Sequence, residues 1–154
     1  MSDRTRVVRA TVAEAPVAAE LLDAFNREFA TPTPGPDAIA ARLAELLVGD
    51  SVAAFLAGDP AVGIALVTLR PNVWYTGPVG LLDELYVAPA HRGRGLGTKL
   101  LAAAEAWVSA NDGTVLEINV DGEDIDARRF YERHGYTDRE PGAPVSSLFY
   151  FKEW

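Results

Sequence analysis

No cysteine occurs among the 154 residues, and this absence excludes disulfide bonds, a thiol nucleophile and thiolate metal sites. Histidine is scarce as well: the chain has two, His91 and His134, which lie far apart in the sequence. We therefore predict no metal site. No stretch is long and apolar enough to span a membrane, and the first ten residues do not resemble a signal peptide. The expectation is a cytoplasmic protein that does not bind membranes.

Basic residues are also in the minority, since 14 Lys and Arg stand against 22 Asp and Glu for a net charge of −8. A domain that binds nucleic acid in general needs a basic footprint, so that function is not expected. An acidic surface suits cationic partners, although many proteins are acidic for solubility alone. The length fits a single domain over residues 1–154, and 49% hydrophobic residues are enough for a buried core.

Hydrophobic periodicity predicts a first strand, two helices, three strands, a long helix, a fifth strand, a short helix and one or two final strands. The strand–helix–strand unit around the long helix should be a right-handed crossover between parallel strands. The hairpins make the remaining strands antiparallel. The predicted fold class is therefore α/β (α+β), with a mixed, mostly antiparallel sheet of six to seven strands and about four flanking helices. The last strand is predicted at "SSLFYFKE", residues 146–153.

One stretch departs from the acidic background: "YVAPAHRGRGLGTKLL", residues 86–101, joins the fourth strand to the long helix. No Asp or Glu occurs between Leu85 and Ala104. The first N–H groups of a helix lack internal partners and attract anions, and glycine lets a phosphate approach the backbone closely. Neither the dinucleotide-binding nor the P-loop glycine spacing matches. The turn predicts a site for a polyanionic ligand, the alternative being a tight turn that merely requires glycine. Its glycines and cations are Gly93, Gly95, Gly97, Arg92, Arg94 and Lys99.

Two motifs in this order resemble the GNAT superfamily of N-acetyltransferases: "LDELYVAPAHRGRGLGTKLL", residues 82–101, and "ARRFYERHGY", residues 127–136. The resemblance covers nearly the whole chain and implies transfer of an acetyl group from acetyl-CoA to an amine, with no metal. It also implies a sheet that opens between the fourth and fifth strands to admit the pantetheine arm. The implied cofactor-binding residues are Leu85, Tyr86 and Val87 for that arm, Arg92, Gly93, Arg94, Gly95, Leu96, Gly97 and Thr98 for the pyrophosphate, and Asp124. Asp124 is a departure, since the family often has asparagine there, which puts this contact in doubt.

Direct transfer requires a base to accept the proton of the amine and an acid to protonate the departing thiolate. Asp83 and Glu84 on the fourth strand are the candidate bases, with a water chain or a merely solvated strand end as alternatives. Successive side chains of a strand alternate between faces, so only one of the two carboxylates should face the cleft. By resemblance, Tyr131 is the general acid, the alternative being a packed core tyrosine.

The acceptor is expected to be a small-molecule amine or a protein amine. By resemblance its pocket should draw on the first two helices and the loop after the third strand, where Phe25, Asn26, Phe29, Trp74 and Tyr75 are candidates. Aromatic rings attract ammonium groups, but the loop aromatics could equally serve a homodimer contact. The competing function is a non-catalytic acyl-CoA sensor or interaction module on the same fold.

Overall fold

Five strands form one sheet in the computed structural model, which describes residues 5–154. The strands follow the chain in the order β1 (Val7–Arg9), β2 (Val52–Ala57), β3 (Gly63–Arg70), β4 (Val79–Val87) and β5 (Val115–Ile118). β1 to β4 pair antiparallel with their neighbours, and β5 pairs parallel with β4. The crossover predicted around the long helix is therefore confirmed, as is the mixed, mostly antiparallel sheet.

Residues 5–154 form four α-helices: α1 (Ala15–Glu28), α2 (Pro36–Leu47), α3 (Leu96–Ala110) and α4 (Ile125–Arg133). A 3-10 turn, Val12–Glu14, leads into α1, and Thr11 and Glu14 exchange the bonds of a capping box. The regular helix begins at Ala15 with Pro16 in its first turn, where proline is tolerated because its missing N–H costs nothing. Pro36 opens α2 in the same way.

The chain divides after Ile118 into two compact units. The first holds the sheet with α1, α2 and α3, and the second runs from Asn119 to Trp154 and holds α4. In the first unit, α1 and α2 cover one face of the sheet, where Leu43 packs with the strand residues Leu56 and Ile64. α3 covers the other face, and its Leu100 and Leu101 are among the most deeply buried side chains. The single domain predicted over residues 1–154 stays a prediction.

The predicted sixth and seventh strands are not formed, since residues 137–154 contain no strand and the sheet within residues 5–154 ends at β5. The aromatic residues that follow one another at 149–151 do favour extended backbone. A strand is assigned only where a neighbouring strand accepts its hydrogen bonds, however, and the pattern alone does not supply that neighbour. No helix in the described part of the chain is long and apolar enough to cross a membrane.

Candidate functional site

The parallel ladder between β4 and β5 covers less than half of β4. Four residue pairs join the strands, from Val79 with Val115 to Leu82 with Ile118. β4 then continues alone on that side through Asp83–Val87, while β3 stays paired with it to the end. The predicted opening between the fourth and fifth strands therefore begins at Asp83. Backbone N–H and C=O groups along such an open edge can bond an extended ligand as a further strand would.

A β-bulge lies at the start of this open edge. Leu66 pairs with Glu84 and Val67 pairs with Leu82, so Asp83 is an extra residue without a partner on β3. Glu84 is opposite Leu66, which packs into the cluster under α1 and α2. The Thr68 hydroxyl, two residues along from Leu66 and so on the same face, donates to the Asp83 carboxylate at 2.5 Å. Both carboxylates thus lie on the α1–α2 face, because the bulge interrupts the alternation expected of successive strand residues. Which of them faces the cleft stays a prediction.

The bulge also perturbs the protonation of the two acids. Partial burial raises the pKa of Asp83 above its usual value, although the hydrogen bond from Thr68 opposes the change. Burial raises the pKa of Glu84 as well, and the negative charge of adjacent Asp83 raises it further. Two carboxyl groups with raised pKa values, side by side at the mouth of an opening, accept a proton more readily than solvated carboxylates do.

Further charged groups share this face of the sheet. Glu117 on β5 is level with Leu81 and Thr68 in the strand register, and its carboxylate accepts from the Arg70 guanidinium at 3.2 Å. Sequence reasoning did not select Thr68 or Glu117. Aligning the three strands on the parallel ladder would have found both, because residues level with each other share a face. With one arginine against three carboxylates, the face is net acidic.

The glycine turn follows β4 and positions the start of α3. Gly93 and Gly95 have φ of +74° and +78°, in the left-handed region that favours glycine. A Cβ built on either would meet no atom of residues 5–154 within 4 Å, so the turn faces open space. Gly95 precedes Leu96 as the N-cap, no side chain caps the helix, and its first turn contains no acidic residue. The N-terminus of α3 is therefore open to an anion.

Arg92 makes the contacts that join this turn to the rest of the unit. Its Nε donates to the Val87 carbonyl at 2.8 Å, and its terminal nitrogen donates to both carboxylate oxygens of Glu28 at 2.8 and 2.9 Å. The guanidinium also lies 5.7 Å from the centre of the Tyr86 ring. Arg92 thus ties the end of β4 to the last residue of α1. Sequence reasoning missed Glu28, since nothing in the pattern connects residues 64 positions apart.

Arg94 and His91 line a cavity of about 450 Å³ beside the turn, together with Leu96. The remaining lining comes from Thr5 and from the β2–β3 connection, Gly58, Asp59, Pro60 and Val62. Lys99, one turn into α3, donates from Nζ to the Thr5 carbonyl at 3.3 Å. Arg94 thus lies beside the cavity, and Lys99 lies close to the start of the helix. Within residues 5–154, no group of three or more His, Asp or Glu side chains is arranged to hold a metal ion.

The second unit contains Tyr131 and Asp124 and is described by itself. Asp124 is the N-cap of α4, and its carboxylate accepts from the Ala127 N–H at 3.0 Å. At the other end, Gly135 has φ of +89° and lets the Tyr136 N–H return to the Tyr131 carbonyl at 3.1 Å. This closure sets the Tyr136 ring 5.9 Å from the half-buried Tyr131 ring. The predicted cofactor contact of Asp124 stays a prediction, and what is observed is a helix cap.

Two of the predicted acceptor aromatics lie in the loop that follows Arg70. The Asn72 side chain holds this loop by accepting from the N–H groups of Trp74 and Tyr75 at 2.9 and 2.8 Å and by donating to the Gly77 carbonyl at 3.0 Å. Trp74 is 85% exposed and thus accessible to a ligand. On α1, Asn26 instead donates to the Pro32 carbonyl and holds the connection to α2.

Comparison with known proteins places this geometry in a family. The family model described as "Acetyltransferase (GNAT) family" matches residues 18–136. A crystal structure of a provisionally assigned acetyltransferase from Arthrobacter sp. FB24 is 51% identical, with a TM-score of 0.92 over 100% of this chain and 99% of that one. An aminoglycoside N-acetyltransferase, AAC(6')-Iy, solved with CoA, has a TM-score of 0.79 at 23% identity over 100% of this chain and 97% of that one, which shows the fold alone.

Curated relatives match over a shorter span. An aminoglycoside N(6')-acetyltransferase from Stenotrophomonas maltophilia is 36% identical over 54% of this chain and 57% of its own length. An aminoalkylphosphonate N-acetyltransferase from Salmonella typhimurium is 31% identical over 53% of each chain. The matched region thus spans about half the length of these relatives.

Proposed function

The chain belongs to the GNAT family of acetyltransferases, and from that premise we propose that it transfers an acetyl group from acetyl-CoA directly to a primary amine. The observation that carries the proposal is the bulge at Asp83, which brings two carboxyl groups of raised pKa to the start of the open β4 edge. In the proposed reaction one of them accepts the ammonium proton. The free amine then attacks the thioester carbonyl.

The donor would lie along β4 and the glycine turn. We assign the backbone of Leu85, Tyr86 and Val87 to the pantetheine arm, because this part of β4 has no strand of residues 5–154 on its β5 side. The N–H groups from Gly93 to Thr98 would hold the pyrophosphate, with the Arg94 guanidinium as a counter-charge. Arg92 already bonds Glu28 and the Val87 carbonyl, so its proposed part is to fix the turn.

The proposed transfer forms one C–N bond and breaks one C–S bond. The amine nitrogen forms a bond to the thioester carbon, and an N–H of β4 near Leu85 would stabilise the oxyanion that results. The C–S bond then breaks, the Tyr131 phenol would give its proton to the leaving thiolate, and the surplus proton on the newly acylated nitrogen would restore the phenol. The proton taken by Asp83 or Glu84 is the one lost by the ammonium group. Products are the N-acetylated amine and free CoA.

The acceptor is proposed to be a small-molecule amine, of the broad kind named for the curated relatives. The face that carries Asp83, Glu84 and Glu117 favours a cation with more than one amino group. On this face the Arg70 guanidinium is paired with Glu117, so it is a poor partner for an anionic group such as a phosphonate. Polycationic amines such as aminoglycosides therefore fit the face better than amines that carry an acidic group. No observation favours the non-catalytic sensor, and the cytoplasmic location stays a prediction.

The test is release of free thiol from acetyl-CoA across a panel of polycationic, simple and anionic amines. Tyr131→Phe should lower kcat by about 10²–10⁴, the usual contribution of a positioned acid. Tyr150→Phe removes the phenol of an 83% exposed tyrosine and serves as the matched control, with unchanged kcat. Full activity of Tyr131→Phe would remove Tyr131 from its role. If the protein binds CoA but releases no thiol with any amine of the panel, the proposed function is wrong.

A further inference from the structure

Glu28 occupies an unusual place for a carboxylate, because it is the last residue of α1. The C-terminal end of a helix carries partial negative charge, so basic side chains are favoured there and acidic ones are disfavoured. The Glu28 side chain is also largely withdrawn from water, with 26% of it exposed. A residue that opposes its local setting needs a compensating partner from elsewhere in the fold, and here that partner is Arg92.

Three contacts fix the Arg92 guanidinium. One terminal nitrogen donates to both carboxylate oxygens of Glu28 at 2.8 and 2.9 Å, and Nε donates to the Val87 carbonyl at 2.8 Å. The group also lies over the Tyr86 ring, 5.7 Å from its centre. A guanidinium is a rigid planar fork, so contacts made on two of its nitrogens set its orientation as well as its position. Arg92 is therefore a bridge between α1 and the end of β4.

Glu28 reaches this bridge from a helix end that is itself held in place. The Tyr86 hydroxyl donates to Glu28 Oε1 at 3.4 Å, and the Tyr86 side chain is buried in the cluster beneath α1 and α2. The Phe25 ring, three residues before Glu28, lies with its centre 5.1 Å from that of Tyr86. Aromatic packing thus fixes the end of α1 against β4, and the carboxylate is presented to Arg92 from a firm support.

The glycine turn that follows Arg92 needs support from its ends. Gly93 and Gly95 have no side chains with which to anchor it, and glycine has more backbone freedom than any other residue. At one end the turn enters α3, which is anchored by the buried Leu96 and Leu100. At the other end it is attached to Arg92. A turn that is ordered before its ligand arrives binds more tightly, because less entropy is lost on binding.

We propose that Glu28 is a positioning residue for the donor: through Arg92 it holds the glycine turn in the conformation that binds the pyrophosphate of acetyl-CoA. The inference rests on the proposed function, which takes acetyl-CoA as the ligand of the turn. The alternative is competition, in which Glu28 occupies a guanidinium that would otherwise bind the pyrophosphate. The two differ in sign. Without the Glu28 charge, positioning predicts weaker binding of CoA, and competition predicts tighter binding.

Calorimetric titration of the full chain with CoA separates the two. Glu28→Gln keeps the size of the side chain and removes its charge, and we expect Kd to rise about tenfold, as when one hydrogen bond to a charged group is lost. Glu45→Gln is the matched control, because Glu45 also accepts from an arginine at 2.8 Å, but on the exposed side of α2. Its Kd should equal that of the wild type. An unchanged or lower Kd in Glu28→Gln would overturn the proposal.

Variants of Arg92 test whether Glu28 acts through that residue. Arg92→Lys keeps the positive charge but loses the fork, so it should weaken CoA binding as much as Arg92→Gln does; full affinity in Arg92→Lys would mean that charge alone matters and would refute positioning. The double variant Glu28→Gln with Arg92→Gln should bind CoA no more weakly than Arg92→Gln alone, because residues that act through one contact are not additive. Additive losses would contradict the inference.

The same titrations distinguish failure of this inference from failure of the proposed function. Wild-type protein that binds no CoA would overturn both. Wild-type protein that binds CoA, with an unaffected Glu28→Gln variant, would overturn the role of Glu28 alone and leave the proposed transfer standing.

Discussion

The left-handed conformation of Gly95 gives a prediction whose size can be worked out from the structure. Gly95→Ala adds a Cβ that meets nothing within 4 Å among the described residues, so no steric clash contributes. What remains is the backbone strain at φ of +78°, about 1–2 kcal/mol for an L-residue. The smaller entropy of the unfolded chain offsets about 0.4–1 kcal/mol of this. We expect a net loss of roughly 1 kcal/mol, a fall in Tm of about 2–4 °C for a chain of this length.

The same substitution tests the anion site. If the substituted alanine relaxes to negative φ, the N–H groups at the start of α3 turn away from the bound pyrophosphate. Loss of one hydrogen bond to a charged group costs about 1.5–3 kcal/mol, or roughly ten- to a hundredfold in Kd. Calorimetric titration with CoA measures this change directly. Gly95→Asn should lose less of both stability and affinity, because asparagine adopts the left-handed conformation more readily than alanine.

Gly122→Ala is the matched control, since that glycine also has open space around its Cβ position but no positive φ. It should leave Tm and CoA affinity unchanged within error, or raise Tm slightly. A Gly95→Ala protein with the Tm and Kd of the wild type would refute the reasoning, because the turn would then need neither the left-handed backbone nor the exposed N–H groups.

Two further predictions concern β4. Because the pKa of Glu84 is raised in the folded chain, the folded state loses stability as pH rises from the ordinary pKa of a glutamate to this raised pKa. Glu84→Gln should therefore be more stable than the wild type at pH 7, and the advantage should be gone near pH 4, as followed by urea unfolding. A Glu84→Gln protein that is less stable at pH 7 would contradict this. Gly80→Ala places a Cβ 2.5 Å from a methyl of buried Val108 and should cost about 1–3 kcal/mol, whereas Gly49→Ala, 3.8 Å from its nearest neighbour, should unfold almost as the wild type does.

Local patterns predicted most of the fold because each depends on residues close in sequence. The hydrophobic periodicity of each helix and strand and the glycines of the turn each act within a few residues. The parallel crossover followed from the order of elements. The glycine turn also lies in one of the two motifs that resemble the family, so the same residues helped to predict both the fold and the family.

The features that the sequence did not predict depend on contacts across strands or between elements far apart. Nothing in "LLDEL" indicates that Asp83 is left over between two ladder pairs, because a bulge is defined by the partner strand. The bond between Arg92 and Glu28 joins the turn to a helix end 64 residues earlier. The final strand failed for a related reason: the aromatic residues within 146–153 express a local preference for extended backbone, whereas a strand also requires a neighbouring strand with which to pair.

Under the proposed function, the anionic donor and the cationic acceptor bind at different positions along β4. The carboxylates lie at positions 83 and 84, the open edge follows at 85–87, and the cation-rich turn begins at Arg92. At about 3.3 Å per residue, Glu84 is roughly 10 Å from the end of the strand. An anionic donor would be drawn to the turn, whose own residues include no acid, and a cationic acceptor would be drawn to the bulge. In the proposed reaction the acidic carboxylates of β4 and the cations of the turn would therefore serve opposite ends of the bound substrates, with the thioester between them.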